Sequence, residues 1–242
     1  MPIPPSGSGT AAHAHKYSQE ELRLRSAAAL EVVQREGLPN LVTRCRSGTD
    51  AEKEQAAVLL SFITTHDQGC ASMIVSAGGI PPLVAMLGAE DGRGDDDPAL
   101  DMKEQACRTL CDLCIGDAGN QRPIAERGAI PPLLQLLDEP SHPWSIKEAA
   151  AEALALLAYE AAGGPAQEIL TGSAGVSRML ACYRVAGCTR PCKGSIARCL
   201  RYLTMYTPAK QEMQQLGVLQ PRETDPDEDG LTDDVDALLM GK

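Results

Sequence analysis

Residues 78–84 read GGIPPLV and residues 128–134 read GAIPPLL. Each stretch describes the end of one helix and the start of another. A glycine can take the left-handed conformation that closes a helix. Prolines fit the first turn of the next, where the missing N–H costs nothing. Two weaker copies stand on either side, EGLPNLV (36–42) and AGVSRML (174–180), and a fifth start follows at LGVL (216–219). Taking Gly37, Gly79, Ala129, Gly175 and Gly217 as equivalent gives steps of 42, 50, 46 and 42 residues. A second motif follows each of the first four: EQAAVLL (54–60), EQACRTL (104–110), EAAAEAL (148–154) and GSIARCL (194–200), at steps of 50, 44 and 46. Two independent motifs that keep one register through four copies define an internal repeat, the sequence mark of a stacked architecture.

Each unit reads as three helices. The first is short, as over 120–127, and stops at a glycine. The second starts at the prolines and carries an apolar stripe, Leu83 and Leu87 in one copy, Leu133, Leu136 and Leu137 in the next. The third is longer and rich in small residues at helical spacing: Ala106, Cys107, Leu110, Leu113 and Cys114, then Ala149, Ala150, Leu154 and Leu157. No alternating pattern argues for strands. With only five Tyr, one Trp and one Phe, the core has to be built from aliphatic residues, Met and Cys.

The pattern resembles the armadillo repeat, through the G-x-I-P-x-L-V opening and the E-A-A-x-x-L third helix, over roughly residues 28–220. The resemblance implies an all-α fold, a right-handed α-solenoid of about four armadillo-like repeats whose third helices line a concave groove. The repeats are expected near 28–70, 71–117, 118–163 and 164–208, with a partial fifth over 209–220. Residues 1–17 read as a disordered tail, 18–220 as the repeat domain and 221–242 as an acidic tail. A Ser18-x-x-Glu21 capping box opens a helix over 18–35 that would close the N-terminal end of the stack. HEAT repeats, the structural alternative, lack the short first helix and this opening motif.

Nuclear-signal adaptors of the family present Trp and Asn at set places on successive third helices. Here the Trp places hold Val58, Arg108, Glu152 and Arg198, and the Asn places hold Phe62, Asp112, Leu156 and Tyr202. The amide ladder that clamps an extended peptide backbone is therefore missing, and so is a continuous basic groove. The groove reads as mixed. Charged residues in the middle of an Ala/Leu-rich helix belong in water or against a partner, and Tyr and Arg are frequent binding anchors. Phe62, Arg108, Asp112, Glu152, Leu156, Arg198, Arg201 and Tyr202 are the candidate partner-binding residues.

Charge is distributed unevenly. Residues 88–101 hold six acidic residues and one Arg, and residues 222–242 hold eight acidic and two basic ones, which together account for the net charge of −11. Between Glu168 and Glu212 there is no acidic residue, while Arg178, Arg184, Arg190, Lys193, Arg198, Arg201 and Lys210 carry seven positive charges. A basic fourth repeat thus precedes an acidic tail, which could lie across it as an internal competitor. The overall acidity argues against a nucleic-acid binder, although Tyr183, Tyr202 and Tyr206 among the basic residues keep RNA as an alternative.

Other constellations carry less. Cys107, Cys111 and Cys114 share a helix face and read as small core residues. Cys182, Cys188, Cys192 and Cys199 have no C-x-x-C pair and no nearby His, a poor pattern for zinc. His13 and His15 stand in the Pro/Gly/Ser-rich N-terminal segment. In DPDEDGLTDDVD (225–236), Asp225, Asp227, Asp229, Leu231, Asp233 and Asp236 take the ligand places of a twelve-residue calcium loop, with Gly230 at the sharp turn. An Asp stands where an EF-hand has its bidentate Glu, and the competing reading is a solvated acidic tail. No nucleophile elbow, phosphate loop or metalloprotease motif is found, so the expectation is a non-enzyme with calcium as the one cofactor to consider.

The longest uncharged run, Gln68 to Ala89, is broken by Gly78-Gly79 and Pro81-Pro82, so no membrane span is expected. Nine cysteines without a signal peptide point to a reducing compartment, the cytoplasm or also the nucleus. The functional expectation is a protein-interaction scaffold or adaptor whose groove takes an acidic or phosphorylated segment of another protein, with no small-molecule substrate. The alternatives are a calcium-responsive adaptor using 225–236 and an RNA-binding helical-repeat protein.

Overall fold

The structure, a computed structural model, describes residues 31–67, 69–90, 98–159 and 164–218. These residues are helical throughout, with no strand among them. After a helical stretch at 31–36 come α1 (Leu38–Ser47) and α2 (Asp50–His66). The next unit is α3 (Cys70–Ser76), α4 (Ile80–Leu87) and α5 (Pro98–Gly116). A 3-10 turn (Ala118–Asn120) runs into α6 (Gln121–Glu126), followed by α7 (Ile130–Asp138) and α8 (Trp144–Ala158). The fourth unit is α9 (Pro165–Gly172), α10 (Gly175–Arg184) and α11 (Arg190–Leu203), and α12 (Thr207–Gln215) follows.

The turn between first and second helices is built as the glycines and prolines require. Gly78 and Gly128 take φ of 75° and 82°, and the following residues, Gly79 and Ala129, donate back to the carbonyls of Ile74 and Ile124. That closing bond satisfies a carbonyl the helix end would leave orphaned. In the fourth unit the left-handed residue is Ala174, at φ 53°, a conformation that costs a residue with a Cβ about 1 kcal/mol. Gly175, the residue aligned with Gly79, is needed for a different reason: a Cβ there would sit 2.5 Å from the Leu170 carbonyl oxygen.

The long third helices start on side-chain caps. Thr49 and Glu52 form a reciprocal capping box at α2, with Glu52 Oε2 2.8 Å from the Thr49 N–H. Thr189 caps α11 by accepting from the Cys192 N–H. Helices α2, α5, α8 and α11 then pack in that order, each against the next, while α4, α7 and α10 stack behind them. One continuous apolar core runs from Leu38 to Val218. It is made of Leu, Ile, Met and Cys with a lining of alanines, among them Ala150, Ala153 and Ala155, which let α8 approach its neighbours closely. Helix α12 covers the far side of the fourth unit by touching α9 and α10.

Among the described residues no single helix is long and apolar enough to cross a membrane; the uncharged run folds as α3 and α4, bent by 88° at the glycine pair. The expected N-terminal cap before residue 31, residues 91–97 of the acidic 88–101 insertion, and the calcium-loop candidates Asp225, Asp227, Asp229, Leu231, Asp233 and Asp236 lie outside the described residues.

Candidate functional site

The layer formed by α2, α5, α8 and α11 is laced by hydroxyl–carboxylate hydrogen bonds. Thr64 and Thr65 at the end of α2 donate to Asp112 Oδ2 on α5, at 2.7 and 3.0 Å. Ser145 on α8 donates to Glu104 on α5 at 2.6 Å. Thr189 and Ser195 donate to Glu148 and Glu152 on α8, at 2.6 and 2.7 Å. Four carboxylates therefore each receive a short side chain from a neighbouring third helix. A hydroxyl reaches only when the helices are close, so the alanine-lined core and this polar lacing depend on one another.

The same carboxylates hold the two arginines of the ladder. Glu104 takes Arg108 one turn along α5, at 2.9 Å, with the arginine side chain 19% exposed. Glu152 on α8 takes Arg198 of α11. Arg108 and Asp112 thus have separate carboxylate and hydroxyl partners, and the groove is less basic than its sequence. Of the remaining cations in the acid-free stretch, Arg178 is bonded to Asp138 at 2.6 Å and the Lys193 ammonium lies 5.2 Å over the Tyr183 ring. Arg184 and Arg190 are exposed, and Arg201 is half-exposed.

The apolar candidates divide. Phe62 is half-buried and stacks on His66, ring centres 4.1 Å apart, with His66 Nδ1 2.7 Å from the Phe62 carbonyl oxygen. Tyr202 is half-buried and meets Tyr159, at the end of α8, edge to face at 4.9 Å. Val58 is 43% exposed. Leu156 corrects the sequence reading: it is 6% exposed and belongs to the core. Tyr159, three residues on, occupies the surface that Leu156 was expected to hold, and its pairing with Tyr202 is the feature that sequence reasoning missed.

Asp112 titrates abnormally. Burial raises its carboxyl pKa, against the two threonine donors and the charge of Arg108. A carboxyl whose folded pKa is raised contributes stability that is fully present below the ordinary Asp value and is lost as pH rises through the raised one. Asp112→Asn keeps an acceptor oxygen for both threonines. We expect its stability relative to the parent to be greatest near neutral pH, to decline as the pH falls through the raised value, and to level off below about 4. Urea unfolding at several pH values checks this; a relative stability that grows on acidification contradicts it.

The cysteines fall into two groups. Cys107, Cys111 and Cys114 are buried in the core, and burial pushes the Cys114 thiol up to about 12. In the fourth unit, Cys182, Cys188 and Cys192 converge, their sulfurs all within 4.8 Å of one another. Cys199 stands apart, bonded to the Leu154 carbonyl oxygen. The sequence spacing gave no sign of this convergence.

Consecutive three-helix units stacked so that their third helices form one layer define the class, a helical-repeat solenoid. Residues 67–115 match the model of the armadillo/beta-catenin-like repeat. No curated protein sequence matches the chain. Among solved structures, a computationally designed armadillo repeat protein for modular peptide recognition aligns with a TM-score of 0.68 at 18% identity, over 92% of both chains. A designed armadillo repeat protein in complex with the peptide (KR)4 aligns at 0.60 and 16%, over 92% of this chain and 91% of that one. A structure concerned with a phosphorylation switch between cadherin and beta-catenin aligns at 0.65 and 17%, over 83% of this chain and 37% of that one. Residues 67–115 are thus similar to an armadillo repeat, and the fold of the described residues is that of armadillo-repeat solenoids.

Proposed function

We propose that the protein is an interaction scaffold whose third-helix layer over α8 and α11 takes an acidic or phosphorylated segment of a partner protein. The observation that carries this reading is the Tyr159–Tyr202 pair on that layer, whose Tyr202 belongs to a stretch with seven cations and no acidic residue between Glu168 and Glu212. Aromatic rings beside arginines supply the rigid, partly apolar anchor and the charge that binding surfaces favour. Solved relatives of this fold include one in complex with a peptide, (KR)4. That basic peptide is the wrong sign for Arg198, Arg201 and their neighbours, and the Trp and Asn ladder of nuclear-signal adaptors is absent at Val58, Arg108, Glu152 and Arg198 and at Phe62, Asp112, Leu156 and Tyr202.

The acidic residues 222–242 act in this proposal as an internal competitor, close in sequence to the surface they mask and so at high effective concentration. A reducing compartment, cytoplasm or nucleus, suits a protein whose nine cysteines are all free. The reading is tested by fluorescence anisotropy with a labelled Asp/Glu-rich peptide, with and without phosphoserine, on the whole chain and on a chain ending at Pro221. Binding that tightens when the tail is removed supports scaffold and masking together. An affinity unchanged at low salt removes the masking.

A further inference from the structure

Away from the third-helix layer, the fourth unit brings three thiols to one point. Cys182 comes from the last turn of α10, Cys188 from the loop that follows, and Cys192 from the first turn of α11. Their sulfurs lie within 4.8 Å of one another. Cys182 and Cys192 are buried and Cys188 is half-buried. Thiolates on a tetrahedral zinc ion, with Zn–S bonds of about 2.3 Å, stand about 3.8 Å apart, so a contraction of at most about 1 Å separates the three sulfurs from a coordination sphere. A disulfide would join two of them and leave the third without a role.

We propose that Cys182, Cys188 and Cys192 form a three-thiolate binding site for a zinc ion. Lys147 is buried beside them, its ammonium donating to the Leu137 carbonyl and lying 5.2 Å from the centre of the Trp144 ring. Cys192 stands at the positive end of the α11 dipole. A pocket of about 290 Å³ opens beside Cys182, lined by Asp138, His142 and Lys147 among others, and leaves room for a water at the fourth coordination position. Binding exchanges three thiol protons for one ion, with no change of oxidation state.

The test is a titration of the whole chain, reduced and under argon, with Co²⁺ as an optical probe and Zn²⁺ as the competitor. One equivalent of Co²⁺ is expected to bring up thiolate-to-cobalt absorption in the near ultraviolet, and one equivalent of Zn²⁺ to remove it. Carboxylates of the acidic tail give no such band. Cys188→Ser is expected to weaken Zn²⁺ binding by at least about tenfold, while Cys70→Ser, on α3, leaves it unchanged. In the unaltered chain, Zn²⁺ must also slow alkylation of Cys188 and not of Cys70, a measurement independent of how any variant folds. Absence of the thiolate band, undiminished binding by Cys188→Ser, or unslowed alkylation of Cys188 would each overturn the site.

Discussion

Gly175→Ala is expected to lower the stability of the fold by about 1–3 kcal/mol, the range found when atoms are forced into a filled site. The added Cβ would lie 2.5 Å from the Leu170 carbonyl oxygen and 3.2 Å from both the Leu170 carbonyl carbon and Cδ2. The oxygen and carbonyl carbon are backbone, so relief requires α9 and α10 to move apart. That movement would disturb the seat of Leu170 and Met179, both fully buried. Gly172→Ala, three residues earlier, is the matched control. Nothing lies within 4 Å of its Cβ, and alanine there is expected to be neutral or stabilising by up to about 1 kcal/mol. Chemical denaturation of the two variants beside the parent reads the difference directly. The equivalent glycine of the second unit, Gly79, faces the Ile74 carbonyl oxygen at 2.9 Å and belongs to the same class.

Tyr202→Ala is expected to carry the largest effect on binding, a loss of at least tenfold in affinity for an acidic peptide, or about 1.4 kcal/mol. The ring is half-exposed, held edge to face by Tyr159, and stands one residue from Arg201 and one turn from Arg198. Losing it also removes an aromatic pair worth about 1 kcal/mol of stability, so the variant must be assayed well below its unfolding transition. Tyr202→Phe keeps the ring contact and separates the loss of the hydroxyl from the loss of the ring. Val58→Ala, on α2 at the far end of the layer, is expected to leave the affinity unchanged.

The fold was legible because its decisive signals are local. The prolines of GGIPPLV and GAIPPLL, the left-handed glycines and the apolar spacing of EQACRTL and EAAAEAL each constrain only a few neighbouring residues, and the structure places helix starts and turns where they require them. Where one position must satisfy two demands the reading blurs. In AGVSRML the alignment sets Ala174 in line with Gly78 and Gly128, and it is Ala174 that takes the left-handed conformation despite its Cβ, while Gly175 relieves a close approach. The candidate site was legible only as a set of positions. Which charges remain available depends on partners 40 or more residues away, as with Ser195 and Arg198 on Glu152 or Thr64 on Asp112. Leu156 and Tyr202 share one ladder column, yet the first is in the core and the second is at the surface. The three converging cysteines escape spacing rules because the loop at 185–189 folds Cys188 back towards its neighbours.

The central claim is that the fourth unit presents a surface for an acidic partner segment. Its most direct test is the affinity of the chain ending at Pro221 for two labelled peptides of equal length at low salt, one rich in Asp and Glu, the other (Lys-Arg)4. The account predicts that the acidic peptide binds, that added salt weakens it, and that (Lys-Arg)4 is bound far more weakly. Tighter binding of (Lys-Arg)4, or an acidic peptide that does not bind at all, would contradict it.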